Sequence, residues 1–332
     1  MDRINRAMKT VILKSTLVLQ MFLASIVVIN AQPRTIRFVL QGETAIVANM
    51  QRNASAVFTE INRAAIENRN LVLSENNATK VAIENLRLMW KTSQFHCLVP
   101  TYYQTVNKTY QGYSVRNISV FFRAENTSDD KNQDIVIYFD SNGKITDVSI
   151  AMEKIQSEKI IALAKSVEET THRLMLRDFL EQFRTAYCRK DINTIDKMFS
   201  EYALIITGYK VDTLNRETRI PKSSTVYTEK NKKQYMNDLR RVFASNKSLD
   251  IKFPPEKICF MQHPNNEKVY AIRCWQDWSS IRLSGIDGYK DSGWLTLIID
   301  FTNEDEPKIW VRAWQDPKFR EDELIKVGNF NF

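Results

Sequence analysis

The residues best suited to chemistry stand near the C-terminal end, where Lys308-Ile309-Trp310-Val311-Arg312-Ala313-Trp314-Gln315 reads as a strand. Strand alternation puts Trp310, Arg312 and Trp314 on one face and Ile309, Val311 and Ala313 on the other. A guanidinium between two indoles can receive an anion or stack on a ligand. It can equally cover a sheet, or meet a protein partner. The small Ile/Val/Ala face suits close packing on helices, which would turn the indoles and Arg312 outward; the other arrangement has them line a pocket. Trp275 and Trp294 join them as binding candidates. Trp275 shares a strand face with Asp277 and Arg273; Trp294 shares one with Thr296, Ile298 and Asp300. Asp277 is the candidate catalytic base, weighed against an exposed or Arg-paired carboxylate.

Other chemistries lack their parts. The three histidines, His96, His172 and His263, do not pair with one another or with cysteine at metal-ligand spacing, so no metal is expected. His172 precedes a helix and His263 adjoins the turn Pro264-Asn265-Asn266, so both are expected at the surface. Cys97, Cys188, Cys259 and Cys274 form no C-x-x-C motif. Cys259 and Cys274 fall on neighbouring strands and could approach, but buried free thiols are the expected state. Eight glycines leave little scope for a phosphate loop, and no serine sits in a nucleophile elbow. No cofactor is expected.

The 332 residues carry a formal charge of +8, with 43% hydrophobic and 26% charged residues. Basic and acidic residues are interspersed, which disfavours nucleic acid as a partner. Residues 1–31 read as a signal peptide, with Arg3, Arg6, Lys9 and Lys14 ahead of the apolar run Ser15–Ile29 and a cleavage point after Ala31. The expected compartment is outside the cytoplasm, periplasmic or at the cell surface of a Gram-negative bacterium, with no membrane span after cleavage.

These residues need a scaffold. Apolar spacing predicts helices over Glu43–Asn70 and Ala78–Lys91. Strands follow at Phe95–Thr105, Tyr113–Arg123 and Asp134–Asp140, the last turning through Ser141-Asn142-Gly143-Lys144 into Ile145–Met152. Thr35–Leu40 is a short strand ahead of them. Glu153–Lys190 is helical. Asp191 caps a short helix to Ser200, and Tyr202–Gly208 is a strand. Lys210–Ser224 reads as a polar loop, Thr228–Phe243 as a helix, and five strands run from Leu249 to Gln315, with a tail beyond. The expected organisation is α+β: a divergent cone-like domain over 32–152, a helical connector over 153–171, and a second cone-like domain over 172–332.

The second half resembles the nuclear transport factor 2-like superfamily, cone-shaped α+β domains shared with ketosteroid isomerase and scytalone dehydratase. The carrying residues are the helix Arg177-Asp178-Phe179-Leu180-Glu181-Gln182-Phe183-Arg184-Thr185-Ala186-Tyr187, the segment Lys190–Ser200 ending in Phe199, and Ala203-Leu204-Ile205-Ile206. The Trp-Val-Arg-Ala-Trp-Gln strand is also similar to that of exported bacterial proteins without an assigned activity. The resemblance implies a curved sheet closing on helices around a pocket, and members that dimerise through the open sheet. It implies acid–base enzymes using carboxylate and Tyr, or His and Asp, and no such set can be placed here. The expected function is therefore a non-catalytic module binding a small apolar or anionic ligand or a protein. A small-molecule isomerase, dehydratase or hydrolase in the second cone is one alternative, and a structural part of envelope assembly another. A homodimer, or intramolecular pairing of the two cones, is expected.

Overall fold

The computed structural model describes residues 32–42, 45–109, 112–123, 132–152, 167–214, 221–254 and 257–330. The expected signal peptide and most of the expected connector lie outside the described residues.

The first α+β unit runs β1 (Arg37–Gln41), α1 (Val47–Glu67), α2 (Lys80–Thr92), β2 (Gln94–Cys97), β3 (Thr101–Thr109), β4 (Gly112–Arg123), β5 (Asn132–Phe139) and β6 (Ile145–Ile150). The strand order is β1-β3-β4-β5-β6, with β2 also pairing β4. On α1, Met50, Ala54, Val57, Phe58 and Ile61 recur at helical spacing and bury against this sheet. Thr79 caps α2 by accepting from Ala82 N. The β5–β6 turn follows the sequence expectation: Asp140 Oδ1 accepts from Asn142 N and Lys144 N, and Gly143 takes φ 79°. In β4 the simple alternation fails. Val115 is buried, but so are Ile118, Val120 and Phe122, because a bulge at Asn117 (φ 59°) flips the inward face.

The second unit runs α3 (Val167–Cys188), α4 (Ile192–Met198), β7 (Phe199–Leu214), β8 (Pro221–Lys230), α5 (Lys232–Ser245), β9 (Asn246–Lys252), β10 (Ile258–His263), β11 (Asn266–Arg282), β12 (Asp287–Asp300) and β13 (Lys308–Gln315). Its order is β10-β11-β12-β13-β7-β8, with β9 also on β11; β13 and β7 are parallel. Asp191 caps α4, accepting from Thr194 N at 3.0 Å. The expected helix from Thr228 begins later, at Lys232, because Asn231 and Gln234 form a reciprocal capping box there. Of the expected loop at Lys210–Ser224, the stretches Lys210–Leu214 and Pro221–Ser224 are instead strand, β7 pairing with β8 out to Leu214 and Pro221, and the rest lies outside the described residues. Tyr209, Lys210 and Ser224 are exposed: a ribbon leaving the core needs no apolar face, so its strands carry no apolar alternation.

Two cores result. One gathers residues from Ile36 to Ile150; the other gathers residues from Met175 to Ile309. A smaller cluster of Val269, Ala271, Ile298, Val311 and Ala313 lies under the C-terminal tail, capped by Val327. No helix among the described residues is long and apolar enough to cross a membrane.

Candidate functional site

The face of β13 that meets the helices is the one bearing Arg312. Arg312 is buried, with its guanidinium carbon 5.2 Å from the Tyr235 ring on α5. Val311 and Ala313 face the other way, under the tail, whereas Ile309, expected with them, joins the second core because β13 bulges between Ile309 and Val311. The small face thus packs beneath a few apolar tail residues, while the larger gap between sheet and helices is filled by the long side chains. Trp314 lies flat across the sheet between Gly208 on β7 and Gly293 on β12. A Cβ at either glycine would meet its indole at 2.5–2.6 Å. Trp310 is half-buried and stacks on the exposed Tyr202 ring at 6.4 Å.

Trp275 and Trp294 pair edge-to-face at 5.4 Å, with Lys257 Nζ 3.9 Å over the Trp275 ring. Asp277 alternates with Trp278, whose indole packs against Tyr187 in the second core, so Asp277 faces away from Arg312. Its Oδ1 accepts from Trp275 Nε1 at 2.9 Å and Ser292 Oγ at 2.6 Å. It borders a cleft of about 500 Å³ outside that core. The structure therefore does not bring the five binding candidates and Asp277 into one site.

The histidines differ from expectation. His172 is buried, with Nδ1 2.8 Å from Tyr270 Oη and its ring beside Phe301. His263 is buried against the tail, with Nε2 3.1 Å from the Phe330 carbonyl. Sequence position suggested exposure for both, but the strand ends and the tail fold over them. All four cysteines are free. Cys259 lies opposite Arg273 and Cys274 opposite Ile258, so their side chains emerge on opposite faces. Among the described residues no cluster of three or more metal-ligating side chains occurs.

The two units meet through α3. One stripe of that helix, with Leu176, Phe179, Leu180 and Phe183, fills the second core. The other carries Asp178, Glu181 and Thr185, with Arg189 just past the helix end, at spacings of three and four, all buried. Glu181 accepts from both terminal nitrogens of Arg116 on β4, from Tyr138 Oη at 3.3 Å and from Met152 N at 2.5 Å. Asp178 accepts from Arg177 at 2.8 Å and from Arg116 at 3.3 Å. Thr185 Oγ1 accepts from Ile150 N, and Arg189 reaches Asp147 on β6 at 3.1 Å.

Burial raises the Asp178 carboxyl above its ordinary 3.8, with Arg177 pulling the other way and Glu181 adding to the rise. A carboxyl raised in the folded state holds its proton longer than the unfolded chain does. Stability therefore falls as pH rises from the unfolded value through the raised folded one, then levels off. Asp178→Asn should remove that fall, read as a flatter dependence of unfolding free energy on pH above about 4. An unchanged slope would show that Asp178 does not titrate in this window.

Beside this seam lies a cleft of about 910 Å³, within the usual range for small-molecule sites. One wall is the C-terminal half of α2 and the end of β4; the other is β9 and the β11–β12 turn. Trp90, Phe122 and Leu249 supply its apolar floor. Among the described residues, Arg87, Lys91, Arg123, Lys247 and Lys252 line it with one carboxylate, Asp250, which is 4.0 Å from Lys252. Arg189 also lines it but is bound by Asp147 and Asp191. The surplus positive charge is felt nearby. Burial, and then Lys91, push Lys190 below its ordinary pKa; burial, and then Arg123, push His96 down. These cations come from distant stretches of chain, so no run in the sequence announces them.

No family model matches the sequence, and no curated protein matches it. Solved structures do. One is a nuclear transport factor 2-like superfamily protein from Salmonella enterica, 10% identical over 48% of this chain and 96% of that one, with a TM-score of 0.33. Another is the Kfla4162 protein of Kribbella flavida, 12% identical over 46% of this chain and 95% of that one, TM-score 0.32. A third, from Novosphingobium aromaticivorans, is described as a candidate scytalone dehydratase, 8% identical over 45% of this chain and 85% of that one, TM-score 0.31. Likenesses at this level imply no activity, ligand or partner for this chain.

Proposed function

We propose that this chain is an exported, two-domain binding protein that holds an anionic ligand in the cleft between its α+β units. The domains are residues 32–152 and 172–332, joined by 153–171; two cores that share no stretch of sequence support the division. Export rests on the basic and apolar pattern of residues 1–31. The observation that carries the ligand reading is that, among the described residues, five cations and one carboxylate line the cleft around an apolar floor. A low-dielectric wall strengthens attraction to an anion, and convergent Lys and Arg supply donors to carboxylate, phosphate or sulfate oxygens.

Titration calorimetry with inorganic pyrophosphate, citrate and a sulfated oligosaccharide tests this directly. At least one should bind wild type, and Lys91→Glu/Arg123→Glu should weaken it by about tenfold or more, since each tenfold is only 1.4 kcal/mol. Binding indifferent to the double substitution, or none of the three binding wild type, sinks the proposal.

A further inference from the structure

A second feature, independent of the cleft, lies inside the second unit. We infer that its interior holds one small anion, of halide or carboxylate size, against Arg312. Arg312 is only 7% exposed. Its Nε and Nη1 are both buried and have no hydrogen-bond partner among the described residues. No carboxylate lies within ion-pair reach of it among those residues. The neighbours that the register places beside it are Leu297 on β12 and Ile205 on β7. From the helices come the Tyr235 ring and the Tyr187 hydroxyl, the two phenol oxygens lying 2.7 Å apart.

Arginine cannot escape burial by losing its proton. A lone buried cation is among the costliest groups a fold can contain, and removing its counter-charge is strongly unfavourable. The Tyr235 face attracts the guanidinium and the Tyr187 hydroxyl bonds to it, but Nε and Nη1 stay unsatisfied among the described residues. Arg312 also acts on its surroundings. Burial drives the Cys274 thiol far up, and Arg312 alone draws it back. An anion at the guanidinium supplies both the missing charge and an acceptor. It has to be small, because the clefts of about 910 and 500 Å³ are lined by other residues and Arg312 is flanked in the sheet by Leu297 and Ile205.

The test compares thermal unfolding in sodium chloride, sodium acetate and sodium gluconate at one ionic strength. Wild type should unfold about 2 °C or more higher in chloride or acetate than in gluconate, saturating with concentration, as expected of an anion that binds only the folded state. Chloride and acetate distinguish halide from carboxylate. Arg312→Met should lose the difference, while Lys91→Glu/Arg123→Glu, which alters only the cleft, should keep it. An anion-independent wild type, or a difference that survives Arg312→Met, overturns the inference. Should Arg312→Met fail to fold, bromide-soaked crystals of wild type decide: an anomalous peak at the Arg312 guanidinium upholds the site, and its absence at saturating bromide overturns it.

Discussion

Arg116→Met should lower the stability of the protein by about 3–5 kcal/mol, the usual cost of stranding buried charge. Among the described residues, Arg116 is the one cation from the first unit that reaches both buried carboxylates of α3. Without it, Glu181 keeps only Tyr138 Oη and Met152 N, and Asp178 keeps Arg177. Urea unfolding followed by circular dichroism and tryptophan fluorescence should then separate into two transitions, because the hydrogen bonds and the Met152 contact that remain across the seam are weaker than the buried ion pairs. The loss should shrink toward acid pH, where the raised Asp178 carboxyl can take a proton. Arg116→Met combined with Asp178→Asn and Glu181→Gln should recover much of the loss, since the three groups act as one unit. An Arg116→Met protein within about 1 kcal/mol of wild type would mean that the seam is held by other contacts.

Gly208→Ala should cost about 1–3 kcal/mol, and Gly293→Ala a similar amount, although each adds a single methyl group. Both changes place a Cβ inside the Trp314 indole, which has β-sheet backbone beneath it and no room to withdraw. At Gly293 the new Cβ would also meet the Gln315 carbonyl at 2.6 Å. Trp314→Leu should itself cost roughly 2–4 kcal/mol through the lost buried area. In that background Gly208→Ala should become nearly neutral, because the clash is with the indole rather than the backbone. Melting temperatures of the four proteins in this cycle measure the coupling, and simple additivity would show that the glycine serves some other purpose.

Sequence reading succeeds elsewhere in the fold. The Asp140-Ser141-Asn142-Gly143 turn, the Asp191 cap and the apolar stripe of α3 were legible because each is governed by residues a few positions apart. The shift of α5 to Lys232 was legible in principle, since Asn231 followed three residues later by Gln234 is a capping signature. The β7–β8 ribbon was not, because its pairing leaves both faces wet. The bulge at Asn117 hid the true face of β4 for a related reason: one extra residue inverts every later position.

The candidate sites were hidden more deeply. In sequence, Asp178, Glu181, Thr185 and Arg189 form what reads as the solvated side of an amphipathic helix. In the fold that side is buried, because the first unit docks on it and supplies Arg116, Tyr138 and the backbone of Met152. The β13 alternation set Arg312 opposite Val311 and Ala313, but it misplaced Ile309, which a bulge turns into the second core, and it did not say which face the helices cover.

What the sequence determined by itself was the local order: α+β elements, their caps and turns, and the aromatic–cationic face of β13. Hydrogen bonding and side-chain periodicity act over a few residues, so that information is written locally. The tertiary structure alone decided that Arg312 points inward and that Asp277 does not. It also decided that Lys91, Arg123 and Lys247 share a cleft with one carboxylate. Charge and burial act through space, and these residues meet only where distant stretches of chain pack together.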